Sequence, residues 1–223
     1  MIERIYKKHA REKYGLTQKE LDKRIHKSWQ DGIDMWESKN SLQEYYESDH
    51  QIFELLNFCR NVRVSQLLYS VKNFGSAKIL DYGSGIGVVP YILSEANETY
   101  YYDISNTTKE FAKYVFKKDN RPVNFIEKEE DVFKSDYNII ICTDVLEHLE
   151  EPMKLTKQIT ENLKSGCLFL TTGLDFSYGP KIPQHLKSNL KFKDEYEKYI
   201  YANFELVFYH ATPNETIYLW RKR

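Results

Sequence analysis

Along the first 75 residues apolar positions recur at helical spacing, and from Ala77 onward short dense apolar runs alternate with further helical stretches. In the first part, "LTQKEL" offers Thr17 as an N-cap, Glu20 to close a capping box, and Leu16 facing Leu21 as a hydrophobic staple. Leu21, Ile25 and Trp29 continue one face, and Asp31-Gly32 is expected to stop this helix. Ser41 with Glu44 opens a second box. The stripe Leu42, Tyr45, Tyr46, Ile52, Phe53, Leu56 and Cys59 follows it, with a break expected near Asp49. Residues 1–75 thus read as an N-terminal helical segment whose stripes need a surface to cover, and residues 76–223 as the core that supplies it.

In the second part, "AKILDYG" reads as a strand and "GVVPYILSEA" as a helix; "ETYYYDIS" is a strand and "TTKEFAKYVFKK" a helix capped by Thr107 with Glu110. "VNFIE" is a shorter strand, while "YNIIICTDV" and "CLFLTTG" are apolar enough to be buried on both faces, as in a parallel sheet. Between these two, "EPMKLTKQITENLKSG" is a helix with Pro152 near its start and Gly166 past its end. The alternation predicts an α/β, doubly wound sheet. At the tail, "FELVFYHA" and "ETIYLWRK" are separated by Thr212-Pro213-Asn214, too short for a crossover helix, so an antiparallel hairpin is expected.

Charge narrows the partners. With 32 Lys and Arg against 33 Asp and Glu, the net charge of -1 gives no global field to draw in nucleic acid or an anionic membrane. No run approaches the roughly 20 apolar residues of a membrane span, and the start lacks a signal-peptide core, so a cytoplasmic protein is expected. The three cysteines, Cys59, Cys142 and Cys167, are widely spaced in apolar runs, which favours small core residues over a disulfide framework or a zinc site. No metal site is expected.

The chemistry gathers at the strand ends. Asp81, Gly83, Gly85 and Gly87 form D-x-G-x-G-x-G, where glycines permit a tight turn and close approach of a ligand to the backbone. Asp81 would repel a pyrophosphate but attract an amino group, which disfavours a dinucleotide. Asp103 closes the next strand, about 20 residues on, where a carboxylate can accept from both ribose hydroxyls.

These residues, with "CTDVLEHLEEP" after the central buried strand and the closing hairpin, resemble the class I S-adenosylmethionine-dependent methyltransferases. The resemblance is strongest to the group that includes ubiquinone-biosynthesis O-methyltransferases, and it covers roughly Gly75 to the C-terminus. It implies a Rossmann-like sheet of seven strands with the last antiparallel, and S-adenosylmethionine as cofactor. It also implies residue roles. Gly83 and Gly85 would lie against the methionine part, Asp81 near its amino group, and Asp103 with Ile104 at the nucleoside. Asp131, or Glu129, would stand near the adenine, and Thr143 and Asp144 at the methyl-donor end. The family's usual Asp at the start of the fourth strand is replaced by Tyr137-Asn138.

Glu147 and His148 are read as structural residues at a helix start, because neighbours on a helix point about 100° apart. His185, in the loop after the fifth strand, is the first choice for a base acting on a hydroxyl acceptor, and Tyr178 shares that loop. The expected reaction is methyl transfer to an O or N atom of a small molecule under a lid of N-terminal helices. A protein or RNA acceptor is the alternative, though nucleic acid is disfavoured by the charge balance. A non-catalytic cofactor-binding partner subunit is the reading from another class.

Overall fold

The computed structural model describes residues 2–38, 41–58, 76–172, 184–212 and 215–223. They form two compact units, one from residues 1–74, 84–96 and 103–123, the other from residues 75–83, 97–102 and 124–223.

The first unit is helical: α1 (Ile2–Tyr14), α2 (Gln18–Ser38), α3 (Leu42–Tyr46), α4 (His50–Phe58), α5 (Val88–Leu93) and α6 (Asn106–Lys118). The capping box at α2 is present. Thr17 N donates to Glu20 Oε2 at 2.8 Å, and Glu20 N donates to Thr17 Oγ1 at 3.3 Å. Yet α2 does not stop at Gly32. A β-carbon there would stand 2.9 Å from Glu54 Oε2 of α4, so glycine serves close helix packing rather than termination. The buried face runs through Leu21, Ile25, Ser28 and Gly32, and the expected Trp29 is 38% exposed. The break near Asp49 is observed, with α3 ending before Glu47 and α4 starting at His50.

The start of α6 also differs from expectation. Ser105, not Thr107, is the N-cap, and its side chain accepts from Thr108 N at 3.2 Å. Thr107 is turned to other use: its N–H and that of Asn106 donate to the Glu47 carboxylate at 3.1 and 3.2 Å. A carboxylate outside the helix thus satisfies orphan donors of the first turn. Ser105→Ala should therefore lower stability by about 1 kcal/mol in chemical denaturation, whereas an unchanged midpoint would leave Glu47 as the sole effective cap. Tyr6, Leu21, Ile52, Leu56 and Phe111 form fully buried positions of this unit.

The second unit carries the sheet: β1 (Lys78–Tyr82), β2 (Glu98–Tyr102), β3 (Asn124–Phe125), β4 (Ile139–Cys142), β5 (Leu168–Thr172), β6 (Phe204–Thr212) and β7 (Glu215–Lys222). The order is β3-β2-β1-β4-β5-β7-β6, with β7 antiparallel to both neighbours and the remaining pairs parallel. This is the α/β, Rossmann-like arrangement with a C-terminal hairpin. Helices α7 (Pro152–Asn162) and α8 (Lys193–Asn203) belong to the same unit. Their buried Ile159, Tyr196 and Ile200 join Ile140, Phe169, Phe204 and Trp220 in one apolar core.

The chain runs outward from β1 through β2 to β3, then returns to β4 on the other side of β1. Between β1 and β4 lies the switch point beyond whose carboxyl ends ligands of open α/β sheets bind. Asn138, in place of the family's usual Asp, fixes the other end of this pair. Its Oδ1 accepts from Lys78 N at 2.8 Å, and its own N–H donates to Lys78 O at 2.9 Å.

Candidate functional site

The sheet unit brings Asp81 and Gly83 to the switch point. Asp81 lies within β1 and is 3% exposed, so burial of a carboxylate at this strand end demands partners. Gly83 follows the strand with φ +76°, and its N–H donates to Tyr102 O at 2.9 Å. A β-carbon on Gly83 would overlap Val145 Cγ2 in the loop after β4. Glycine here is required twice over, by the backbone conformation and by the approach of that loop.

The helical unit holds the next two motif residues. Gly85 has φ +52°, and its N–H donates to Asp103 Oδ2 at 2.7 Å. Asp103 Oδ1 accepts from Ser105 N at 2.8 Å and from Thr108 Oγ1 at 3.2 Å. Burial raises the Asp103 pKa above its usual value, and the donors from Ser105, Gly85 and Thr108 with the Lys109 charge work against that rise. Three donors leave capacity at a carboxylate that offers about four lone-pair sites. Ile104 beside it is 55% exposed, an apolar surface unusual for isoleucine. Leu55 of α4 covers the turn, standing 3.0 Å from where a Gly85 β-carbon would be, and Tyr6 OH of α1 donates to Gly87 O at 2.8 Å.

The third group lies in the sheet unit after β4. Thr143 is half-buried, and Asp144 adopts φ +57° with its N–H donating to Thr172 Oγ1 at 2.7 Å. A non-glycine residue in this region is uncommon and is held here by the β5 hydroxyl. A single 3-10 turn, Leu146–His148, then places Glu147 and His148. His148 Nδ1 donates to Gln184 O at 3.1 Å, which leaves Nε2 facing Asp144 Oδ1 at 3.6 Å. Leu186 N and Asn189 Nδ2 both donate to Glu147 O at 3.0 Å, tying the 184–189 segment to this turn. That tie brings His185 against His148, with ring centroids 5.0 Å apart and planes at 85°.

Electrostatics in the cluster are strongly coupled. Burial and the adjacent Asp144 charge push Glu147 up to about 8. His148, despite burial, is lifted to about 9 by the hydrogen bond and charge of Asp144 and by Glu147. Crowding opposes ionisation of Asp144, but the His148 hydrogen bond and charge, with Glu147 and His185, hold its carboxyl below the usual range.

The sequence reading of Glu147 and His148 as helix-start residues missed this association. A 3-10 turn and a returning loop, rather than helical periodicity, bring the side chains together. Asp131 lies in the 3-10 helix Glu129–Lys134 that follows β3, paired with Lys134. Glu129 Oε1 accepts from Tyr82 OH at 3.5 Å. Tyr178 lies outside the described residues, as does Cys59. No helix of the described residues is long and apolar enough to cross a membrane.

Residues 48–205 match a family model described as a methyltransferase domain, about seven-tenths of the chain. A search of the curated proteins found no match. Among solved structures, magnesium protoporphyrin IX methyltransferase from Synechocystis PCC 6803 with bound S-adenosylmethionine is 16% identical, with 86% of this chain and 90% of that chain covered and a TM-score of 0.56. An O-methyltransferase family protein from Burkholderia thailandensis is 14% identical over 91% of this chain and 71% of that chain, with a TM-score of 0.60. An rRNA methylase from Streptococcus thermophilus is 13% identical over 73% and 96%, with a TM-score of 0.52. With the glycine turn, the acidic end of β2 and the antiparallel β7 all in place, the chain belongs to the class I S-adenosylmethionine-dependent methyltransferases.

Proposed function

We propose that this enzyme methylates an oxygen or nitrogen atom of a small molecule, with a hydroxyl the acceptor that best fits its residues. The observation that carries this reading is the acid-base cluster of Asp144, Glu147, His148 and His185 in one loop system after β4 and β5. A neutral hydroxyl must lose a proton to become a good nucleophile, and an amine needs less help. Such a concentration of proton-holding groups is suited to the former.

Bound S-adenosylmethionine supplies a methyl group on positive sulfur, whose transfer to an acceptor lone pair returns the C–S electron pair to sulfur. The residues present fit that cofactor. Glycines at 83 and 85 take the left-handed backbone that a tight turn after β1 needs, so that main-chain groups would border the cofactor there. Asp81 and Gly83 would take the methionine part, with the buried carboxylate drawing the amino group. Asp103, with one lone-pair site to spare, would hold a ribose hydroxyl, and the exposed Ile104 would pack on the adenine. Thr143 and Asp144 would border the methyl-donor end, Asp131 or Glu129 would reach the adenine edge, and Tyr178 remains a candidate for the acceptor pocket.

The N-terminal helices would act as a lid, a role supported by Leu55 over Gly85 and Tyr6 on Gly87. Leu55→Ala should weaken cofactor binding about fivefold by calorimetry, the effect of losing roughly 1 kcal/mol of apolar cover. Unchanged affinity would remove α4 from the cofactor's surroundings.

The likeness to an rRNA methylase keeps an RNA acceptor as the second reading. Labelled methyl transfer to a panel of small hydroxylated and amino acceptors, run beside total RNA at low and high salt, separates the two. The proposal expects label on small acceptors at a rate insensitive to salt. Label on RNA that fades as salt rises would favour the alternative, because phosphate contacts are salt-dependent.

A further inference from the structure

From the geometry of the loops after β4 and β5 we infer a divalent metal site, formed by Asp144, Glu147, His148 and His185. One donor atom from each of the four lies within 4.8 Å of every other, and the residues come from two separate loops rather than one acidic run. Ligands about 2.1 Å from an ion stand about 3.4 Å apart in a tetrahedron and about 4.2 Å apart when opposite in an octahedron. Closing in by roughly an ångström, within reach of side-chain rotation, would complete such a shell.

Two independent features point to a cation. Glu147 is 4% exposed, yet its Oε2 has no hydrogen-bond partner, a costly state for a buried carboxyl oxygen unless a ligand meets it. His148 donates its Nδ1–H to Gln184 O, so Nε2 is aimed at Asp144 and the cluster. A ring nitrogen pinned to a backbone carbonyl while the other faces carboxylates is the outer-shell arrangement that orients a metal-binding imidazole. The Gln184 and Glu147 contacts also hold the His185 loop in place.

The donor set of two imidazoles and two carboxylates suits a first-row transition ion such as Zn2+, Mn2+ or Co2+ over Mg2+ or Ca2+, which prefer oxygen ligands. The role of the ion rests on the oxygen-acceptor reading above. A cation at this loop would bind the acceptor oxygen, favour loss of its proton to water and leave the oxyanion lone pair free for the methyl group. His185 would then be an ion ligand, replacing the direct base expected from sequence.

The test is titration of the full-length, chelator-treated protein with Co2+, followed by its visible ligand-field absorption, with Mg2+ as control. The inference expects one saturable Co2+ site, a rise in melting temperature on loading, and no comparable response to Mg2+. Glu147→Gln and His185→Ala should each weaken Co2+ binding at least tenfold, and metal-free melting curves would verify that both variants fold. Absence of Co2+ uptake by the wild type, or unchanged affinity in both folded variants, would overturn it. S-adenosylmethionine binding to the chelator-treated protein reports on the methyl-donor reading separately. Cofactor binding without Co2+ binding would sink the metal site alone.

Discussion

Asp103→Ala is expected to weaken S-adenosylmethionine binding by about ten- to a hundredfold in calorimetric titration. With one lone-pair site left on the carboxylate, a ribose hydroxyl donating to it makes a charge-assisted bond worth about 1.5–3 kcal/mol, and about 1.4 kcal/mol is a factor of ten. The same substitution removes the acceptor for Gly85 N, Ser105 N and Thr108 Oγ1, so the protein should also lose stability. Asp103→Asn separates these effects. The amide keeps one acceptor oxygen for Ser105 N and Thr108 Oγ1 but sets its NH2 against the Gly85 N–H and loses the charge, so its melting temperature should fall less than that of Asp103→Ala while affinity falls by about tenfold. Equal affinity in wild type and both variants would reduce Asp103 to a residue that starts α6.

Gly83→Ala should have the largest effect on the fold. Left-handed backbone disfavours alanine by about 1–2 kcal/mol, and the overlap with Val145 Cγ2 adds about 1–3 kcal/mol of overpacking. Together these lower the melting temperature by about 5–15 °C for a chain of this size. Adding Val145→Ala removes the overlap but not the backbone strain. The double variant should therefore recover part of the loss, and full recovery would show that φ at this position relaxes freely.

Much of the fold was written in local patterns. The dense runs at Ile139–Cys142 and Leu168–Thr172 became fully buried central strands, and the short gap after Thr212 gave the antiparallel pair β6 and β7. The capping box at Thr17 and the break near Asp49 were equally legible, because caps and breaks act within a few residues. The misreadings share a cause in tertiary contact. Gly32 looked like a stop because nothing local reveals that Glu54 and His50 pack against it. Thr107 looked like a cap because Glu47, distant in sequence, was not visible as its partner.

The site divides along the same line. Asp81, Gly83 and Gly85 fall within five residues and Asp103 closes the next strand, so the glycine turn and the two strand-end carboxylates were visible in the sequence as candidates. The cluster at Asp144 was not. His185 lies 37 residues beyond His148, brought back by Leu186 and Asn189 bonding to Glu147 O, and no helical or strand period connects it to the other three. A polar pair such as Glu147-His148 at the end of a buried strand, with a histidine in the following loop, is the signal that could have marked it.

The measurement bearing most directly on the cofactor site is calorimetric titration of the wild-type protein with S-adenosylmethionine, S-adenosylhomocysteine and NAD in parallel. One saturable site for both sulfur compounds, with no heat from NAD, is the predicted result. Tighter binding of NAD, or no binding of either sulfur compound, would contradict the assignment of the glycine turn and Asp103 to a methyl donor.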